Sequence, residues 1–171
     1  MSVDTVFTVP KDRQSVTIHL DKGVMLAGEI FLEYISDDLS VHQKVTAFIE
    51  NSNSFFPLKV QATADTEFIN KENVLSIEVD FPEDPDTAYF AFKLMQTIPV
   101  TVIFNHGQTI SGALLAEVPQ EKARLSDCLN VRQRFLSVRV GGKIFYINKN
   151  ALQKVLHGEK SEDGLQFITL T

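Results

Sequence analysis

The chain has 171 residues, 44% hydrophobic and 22% charged, enough for one core of average size or two small cores that lean on each other. Its net charge of −6 argues against indiscriminate binding to nucleic acid or an anionic membrane, because phosphate contacts supply most non-specific affinity. No apolar run reaches the roughly 18 residues a membrane helix needs, and the opening MSVDTVFTVPKDRQ lacks the basic-then-apolar pattern of a secretory signal.

In chain order, DTVFTV alternates as a strand would. VTIHLDKGVMLAGEIF (16–31) then reads as strand, glycine turn, strand. Its apolar positions recur at period two, and DKG is a hairpin turn in which Gly23 takes the positive φ other residues avoid. Gly28 lies inside the second strand, where glycine marks a bulge or a sharp bend. SDDLS (36–40) is a solvated acidic loop. VTAFIEN (45–51) is a single helical turn, with Thr46 as its cap and Asn51 at its end, and FFPLKV is the strand after it. FINKENVLSI (68–77) predicts a strand, a tight turn at Asn70-Lys71 in which Asn adopts a left-handed conformation, and a last short strand. Pro82 and Pro85 make the next stretch, including PEDPD, a loop. AYFAFKLMQTI (88–98) is apolar enough for a further buried strand.

The second half repeats the first. VTVIFNHGQTISGALL (100–115) lies over 16–31 at an offset of 84, matching Gly107 to Gly23 and Gly112 to Gly28. LSDCLNVRQRFLSVRV (125–140) lies over 45–60 at an offset of 80, with Ser126 as the helix cap and Asn130 at its end, so Phe135 aligns with Phe55 as a core residue. YINKNALQKV (146–155) lies over FINKENVLSI at an offset of 78. GLQFITLT closes the chain with strand-like alternation. Three blocks in one order predict an internal duplication. The expected layout is a first unit over 1–80, a connection over 81–98 and a second unit over 99–171. Extra strands at the termini and in the connection would cover or bridge exposed edges.

Each unit has about 60 residues and five short strands. The second opens V-T-V-x-Phe-x-x-G-x-x-Ile-x-G-x-Leu, the first has other apolar residues at the same positions around Gly23 and Gly28, and both close on an Asn-Lys turn. In this each resembles the Sm/LSm group of small, SH3-like β-barrels. The likeness covers 16–79 and 100–157 as a pattern. The resemblance implies an all-β protein of two tandem five-stranded Sm-like barrels with one short helical turn each. It also implies a homo-oligomer joined through edge strands, such as a trimeric ring with pseudo-sixfold symmetry, and RNA contacts at the closing turns. Asp127 and Asn130 resemble the base-holding pair of that family, one residue too close, and the other half has Ala47 and Glu50 there. The closing turn is Asn-Lys where the eukaryotic family has Arg-Gly.

No catalytic set, metal set or cofactor motif is expected, and the chain reads as a non-enzyme. His19, His42, His106 and His157 lack metal-like spacing and read as exposed. The one cysteine, Cys128, reads as an inert core thiol, and with no internal disulfide available the natural setting is reducing and cytoplasmic. The candidate nucleic-acid contacts are Asn70, Lys71, Asn148 and Lys149 in the turns, with Arg132 and Arg134 in a basic strip around Phe135. Charge is uneven: residues 1–95 hold 7 Lys and Arg against 16 Asp and Glu, and residues 96–171 hold 9 against 6. An acidic half meeting the basic half of a neighbour would favour one register. The primary expectation is a self-assembling interaction module without membrane association. The alternative is an Sm-like RNA-binding protein.

Overall fold

Alternating apolar residues over Lys11–Leu20 (β1) and Met25–Glu33 (β2) form an antiparallel hairpin, closed by a 3-10 turn at Asp21–Gly23. Gly23 takes φ of 73° and its counterpart Gly107 takes 97°, as hairpin glycines do. The structure is a computed structural model that describes residues 11–33, 39–81, 96–116 and 124–158. The strands expected at 4–9, 88–95 and 164–171, the PEDPD loop and most of SDDLS lie outside these residues.

The chain continues through helix α1 (Val41–Glu50), β3 (Phe55–Val60), β4 (Thr66–Asn70) and β5 (Val74–Asp80). After the connection come β6 (Gln96–Phe104), β7 (Thr109–Ala116), helix α2 (Leu125–Leu129), β8 (Phe135–Val140), β9 (Lys143–Asn148) and β10 (Leu152–His157). The protein is all-β in character, and its described residues form one ten-stranded antiparallel sheet ordered β10-β6-β7-β8-β9-β5-β1-β2-β3-β4. The ladder is open. Among the described residues no strand pairing closes either half into a barrel.

The two halves share registers pair by pair. Val16 faces Gly28 as Val100 faces Gly112. Phe55 faces Asn70 as Phe135 faces Asn148. Ile18 faces Ile77 as Val102 faces Val155, and both of these ladders carry a register shift near the start of the last strand. The glycines inside β2 and β7 mark neither a bulge nor a shift in their hairpins. A Cβ on Gly28 would overlap the Lys59 carbonyl oxygen, and one on Gly112 would overlap that of Arg139. Close backbone approach is the reason for glycine here.

The helices differ from the expectation of matched single turns. α1 starts at Val41 because Ser40 and Gln43 form a capping box: Gln43 N donates to Ser40 Oγ at 3.2 Å, and Ser40 N donates to Gln43 Oε1 at 2.9 Å. Its buried face is His42, Val45 and Ile49. Thr46 sits inside the helix and caps nothing. α2 is five residues long, follows Arg124, and has no side-chain cap from Ser126 or elsewhere. Asn51 and Asn130 do occupy the C-cap positions.

Two apolar cores lie along the sheet. One, around Ile18, Ile30, Val45, Leu58 and Ile77, takes in Leu115, Phe135, Ile144 and Tyr146 from the second half. The other is built on Val100, Val102, Phe104, Leu114 and Ile147, and Leu75 of the first half packs against it.

Candidate functional site

The two halves meet where β5 pairs with β9, with Ser76 opposite Ile147, Ile77 opposite Tyr146, Glu78 opposite Phe145, Val79 opposite Ile144 and Asp80 opposite Lys143. This joint gathers most of the polar side chains that the sequence singles out.

Its apolar side is Tyr146, fully buried under α1. The Tyr146 hydroxyl and His42 Nδ1 are hydrogen-bonded at 2.8 Å, and the two rings stack at 5.7 Å. His42 is therefore a buried helix residue and not an exposed loop histidine. At the end of α1, the Glu50 carboxylate accepts from the backbone N–H groups of Arg134 at 3.0 Å and Phe135 at 2.9 Å. A carboxylate accepting two backbone donors is a strong, charge-assisted clasp, and here it fixes one half onto the other.

The polar side is an ion cluster. Glu78 accepts from Lys143 and pairs with His19 Nε2 at 2.9 Å, while Lys143 lies 3.8 Å from Asp80. The hydrogen bond from His19 holds the Glu78 carboxyl well down, at about 2, with Lys143 adding to the effect against the cost of burial. The Glu78 hydrogen bond raises the Lys143 ammonium in turn. His19, expected to be exposed, is buried in this cluster. His106 and His157 are exposed. A groove of about 370 Å³ runs beside the cluster, lined by Thr17, Glu29, Lys59, Glu78, Asp80 and Lys143 among others.

The closing turns have a structural job in both halves. Asn70 Oδ1 accepts from Glu72 N at 3.1 Å, and Asn148 Oδ1 accepts from Asn150 N at 3.0 Å. Asn is used here for its side-chain acceptor, since Asn70 and Asn148 have extended backbones with φ of −76° and −66°. Asn148 does more: its Nδ2 crosses the joint to donate to the Val74 carbonyl at 3.0 Å. Lys71 is 2% exposed, and its ammonium donates to the carbonyl oxygen of Asn51 at 3.0 Å and to Asn51 Oδ1 at 2.7 Å. Lys149 repeats the contact by donating to the Val131 carbonyl at 2.6 Å. Burial lowers the Lys71 ammonium from its ordinary value, Arg134 adds to this, and Glu50 offsets part of it. Burial lowers Lys149 in the same way, again against Glu50.

Of the six candidate contacts, Lys71, Arg134, Asn148 and Lys149 thus converge on Glu50 and the joint. Asn70 caps its turn at the far edge of the sheet, and Arg132 is exposed beside a small cavity lined by His42, Cys128 and Phe135. Cys128 is buried, and burial together with the Asp127 charge raises its thiol. Asp127 is exposed, and Asn130 Nδ2 donates to the Ser126 carbonyl at 2.7 Å. Sequence reasoning missed Glu50, His42 and Glu78. Their partners lie 59 to 104 residues away, and no local pattern announces such contacts.

Among the described residues, no cluster of three or more His, Cys, Asp or Glu side chains could hold a metal ion, and no helix is long and apolar enough to cross a membrane. Comparison with protein families, curated proteins and solved structures finds no match.

Proposed function

We propose that the chain is a non-catalytic, self-assembling interaction module of two tandem Sm-like units related by duplication. The observation that carries this reading is what the joint leaves over. β5 is the fifth strand of the first half, and β9 is the fourth strand of the second. Among the described residues, the outermost strands of the sheet are β4 and β10, the fourth strand of the first half and the fifth of the second. Each chain therefore pairs one such couple internally and presents one more at its ends. Shared registers on both sides support treating the halves as equivalent units. The reading includes a reducing, cytoplasmic setting, supported by a single and buried cysteine.

RNA binding is the weaker reading, because Lys71 and Lys149 use their ammonium groups inside the fold and Asn148 is buried in the joint. Light scattering on the purified chain at micromolar concentration tests the primary reading. A discrete oligomer is expected, and a monomer overturns it. Affinity for single-stranded RNA that falls steeply with salt, and weakens on Lys149→Ala and Arg132→Ala, would restore the alternative.

A further inference from the structure

The outer ends of the sheet carry side chains that the internal joint buries. Phe68 is 70% exposed, whereas Tyr146, at its equivalent position on β9, is fully buried. Phe55 is 52% exposed, whereas its equivalent Phe135 is 3% exposed. Tyr146 and Phe135 differ from Phe68 and Phe55 in having the other half packed against them. The exposed pair occupies one sheet edge, and an exposed apolar edge strand is a template for pairing with another strand.

We infer that β4 of one chain pairs antiparallel with β10 of a second copy, head to tail, in the register of the internal β5·β9 joint. This rests on the assembly reading above and specifies its contacts. Transferring the internal register places Lys154 opposite Ile69, Val155 opposite Phe68, Leu156 opposite Glu67 and His157 opposite Thr66. Val155 then covers Phe68 as Ile77 covers Tyr146. Lys154 stands diagonal to Glu67 on one face, an opposite-charge neighbour within reach of a long side chain. Asn130 occupies the place of Glu50, so its free carbonyl oxygen faces the backbone N–H groups of Ser54 and Phe55 on the second copy. The chemistry changes from one joint to the other. Leu156 replaces Glu78, Asp65 replaces Lys143 and Ile103 replaces His19, so the second joint lacks the ion cluster of the first. Such a contact is heterologous: its repeats form a ring where the rotation between copies closes and an open filament where it does not, and the discrete oligomer of the assembly reading calls for the ring.

The test uses the full chain with Cys128→Ser, which removes the native thiol. Phe68→Cys and Val155→Cys are made in separate chains, mixed, and treated with a short thiol-to-thiol reagent. A covalent dimer that forms in the mixture, and in neither variant alone, is expected. The double variant should give a ladder that stops at the ring size. Cross-linking of Phe68→Cys alone means that β4 meets β4. That overturns the inference and leaves self-assembly standing, as does an oligomer with no cross-link in any mixture. A monomeric unsubstituted chain, with edges covered by its own segments, overturns both. Should Val155→Cys fold poorly, or Phe68→Cys itself weaken association, Glu67→Cys with Leu156→Cys reads the same register with Phe68 in place.

Discussion

The joint at β5·β9 and the outer edge at β4 are built from equivalent residues in different company. At the joint an aromatic ring on the fourth strand lies under α1, with its hydroxyl on His42 and the adjoining β8 clasped by Glu50. At the edge the equivalent ring is exposed. Tyr146 carries a hydroxyl where Phe68 carries none, and this follows the same division: a buried aromatic with a polar tip needs a partner, and His42 supplies one. A position in this fold acquires its role from the strand laid beside it. The local sequence at the two sites is nearly the same.

The strongest way to break that comparison is to truncate both rings. Tyr146→Ala should cost about 3–5 kcal/mol, because it opens a cavity in the shared core and removes the hydroxyl bonded to His42 Nδ1. Phe68→Ala should leave the stability of the isolated chain within about 0.5 kcal/mol and act on association instead. Urea unfolding followed at low protein concentration, with light scattering at high concentration, separates the two. Equal losses of stability would mean that Phe68 is already covered within the chain.

Next comes the clasp. Glu50→Gln keeps the shape but removes the charge and leaves one carboxyl-type acceptor for two N–H groups. A loss of about 1–3 kcal/mol is expected from a partly buried donor left unpaired. Asn130→Ala, at the equivalent position, should leave chain stability nearly unchanged. If Glu50→Gln is as mild as Asn130→Ala, the clasp adds nothing measurable to what the strand ladder and the shared core already hold.

The closing turns give a smaller contrast. Asn148→Ala removes a turn cap and a bond across the joint, for a combined loss of about 2 kcal/mol. Asn70→Ala removes a cap only, for about 1 kcal/mol or less. Unfolding midpoints of the two variants, compared at equal concentration, measure the difference. Equal midpoints would show that the Asn148 bond to Val74 contributes nothing measurable.

These pairs also show what a single sequence can carry. Gly23 and Gly107 are legible because the backbone there restricts the residue type, whatever surrounds it. The Asn-Lys turns are legible as turns, but Asn serves there through its side-chain acceptor on an extended backbone and not through the left-handed conformation the sequence suggests. The registers within each half follow from period-two alternation, which cannot slip by one residue without exposing a core face. The start of α1 is encoded in the Ser40-to-Gln43 capping box, ahead of the apolar run at Val45 from which the sequence predicts only a single turn. The meeting of β5 with β9 is not legible, since either strand could have been an edge by its own pattern. Lys71 reads as a surface cation because a lysine is seldom buried, and the two oxygens of Asn51 that account for its burial lie 20 residues away. His106 and His157 are exposed as expected, whereas His19 and His42 are buried for the same reason as Lys71: they are defined by Glu78 and Tyr146, which lie 59 and 104 residues away.

The ion cluster offers the finest test, because it is a titratable part of the joint that the proposed second joint lacks. Glu78 ordinarily titrates at 4.5 and is held at about 2 in the folded chain, first by His19 and then by Lys143. A carboxyl lowered by folding stabilises the folded form above its unfolded value, and that contribution disappears as pH falls through the folded one. The Glu78 contribution should therefore be complete above about pH 4.5 and fade toward pH 2. Glu78→Gln should cost on the order of 1 kcal/mol at neutral pH and should flatten the stability curve between those limits. Association through the outer edges should keep its pH profile, since Leu156 stands where Glu78 does. If Glu78→Gln shifts the acid dependence of association as much as that of chain stability, the two joints are energetically coupled. The equivalence between them would then extend from geometry to mechanism.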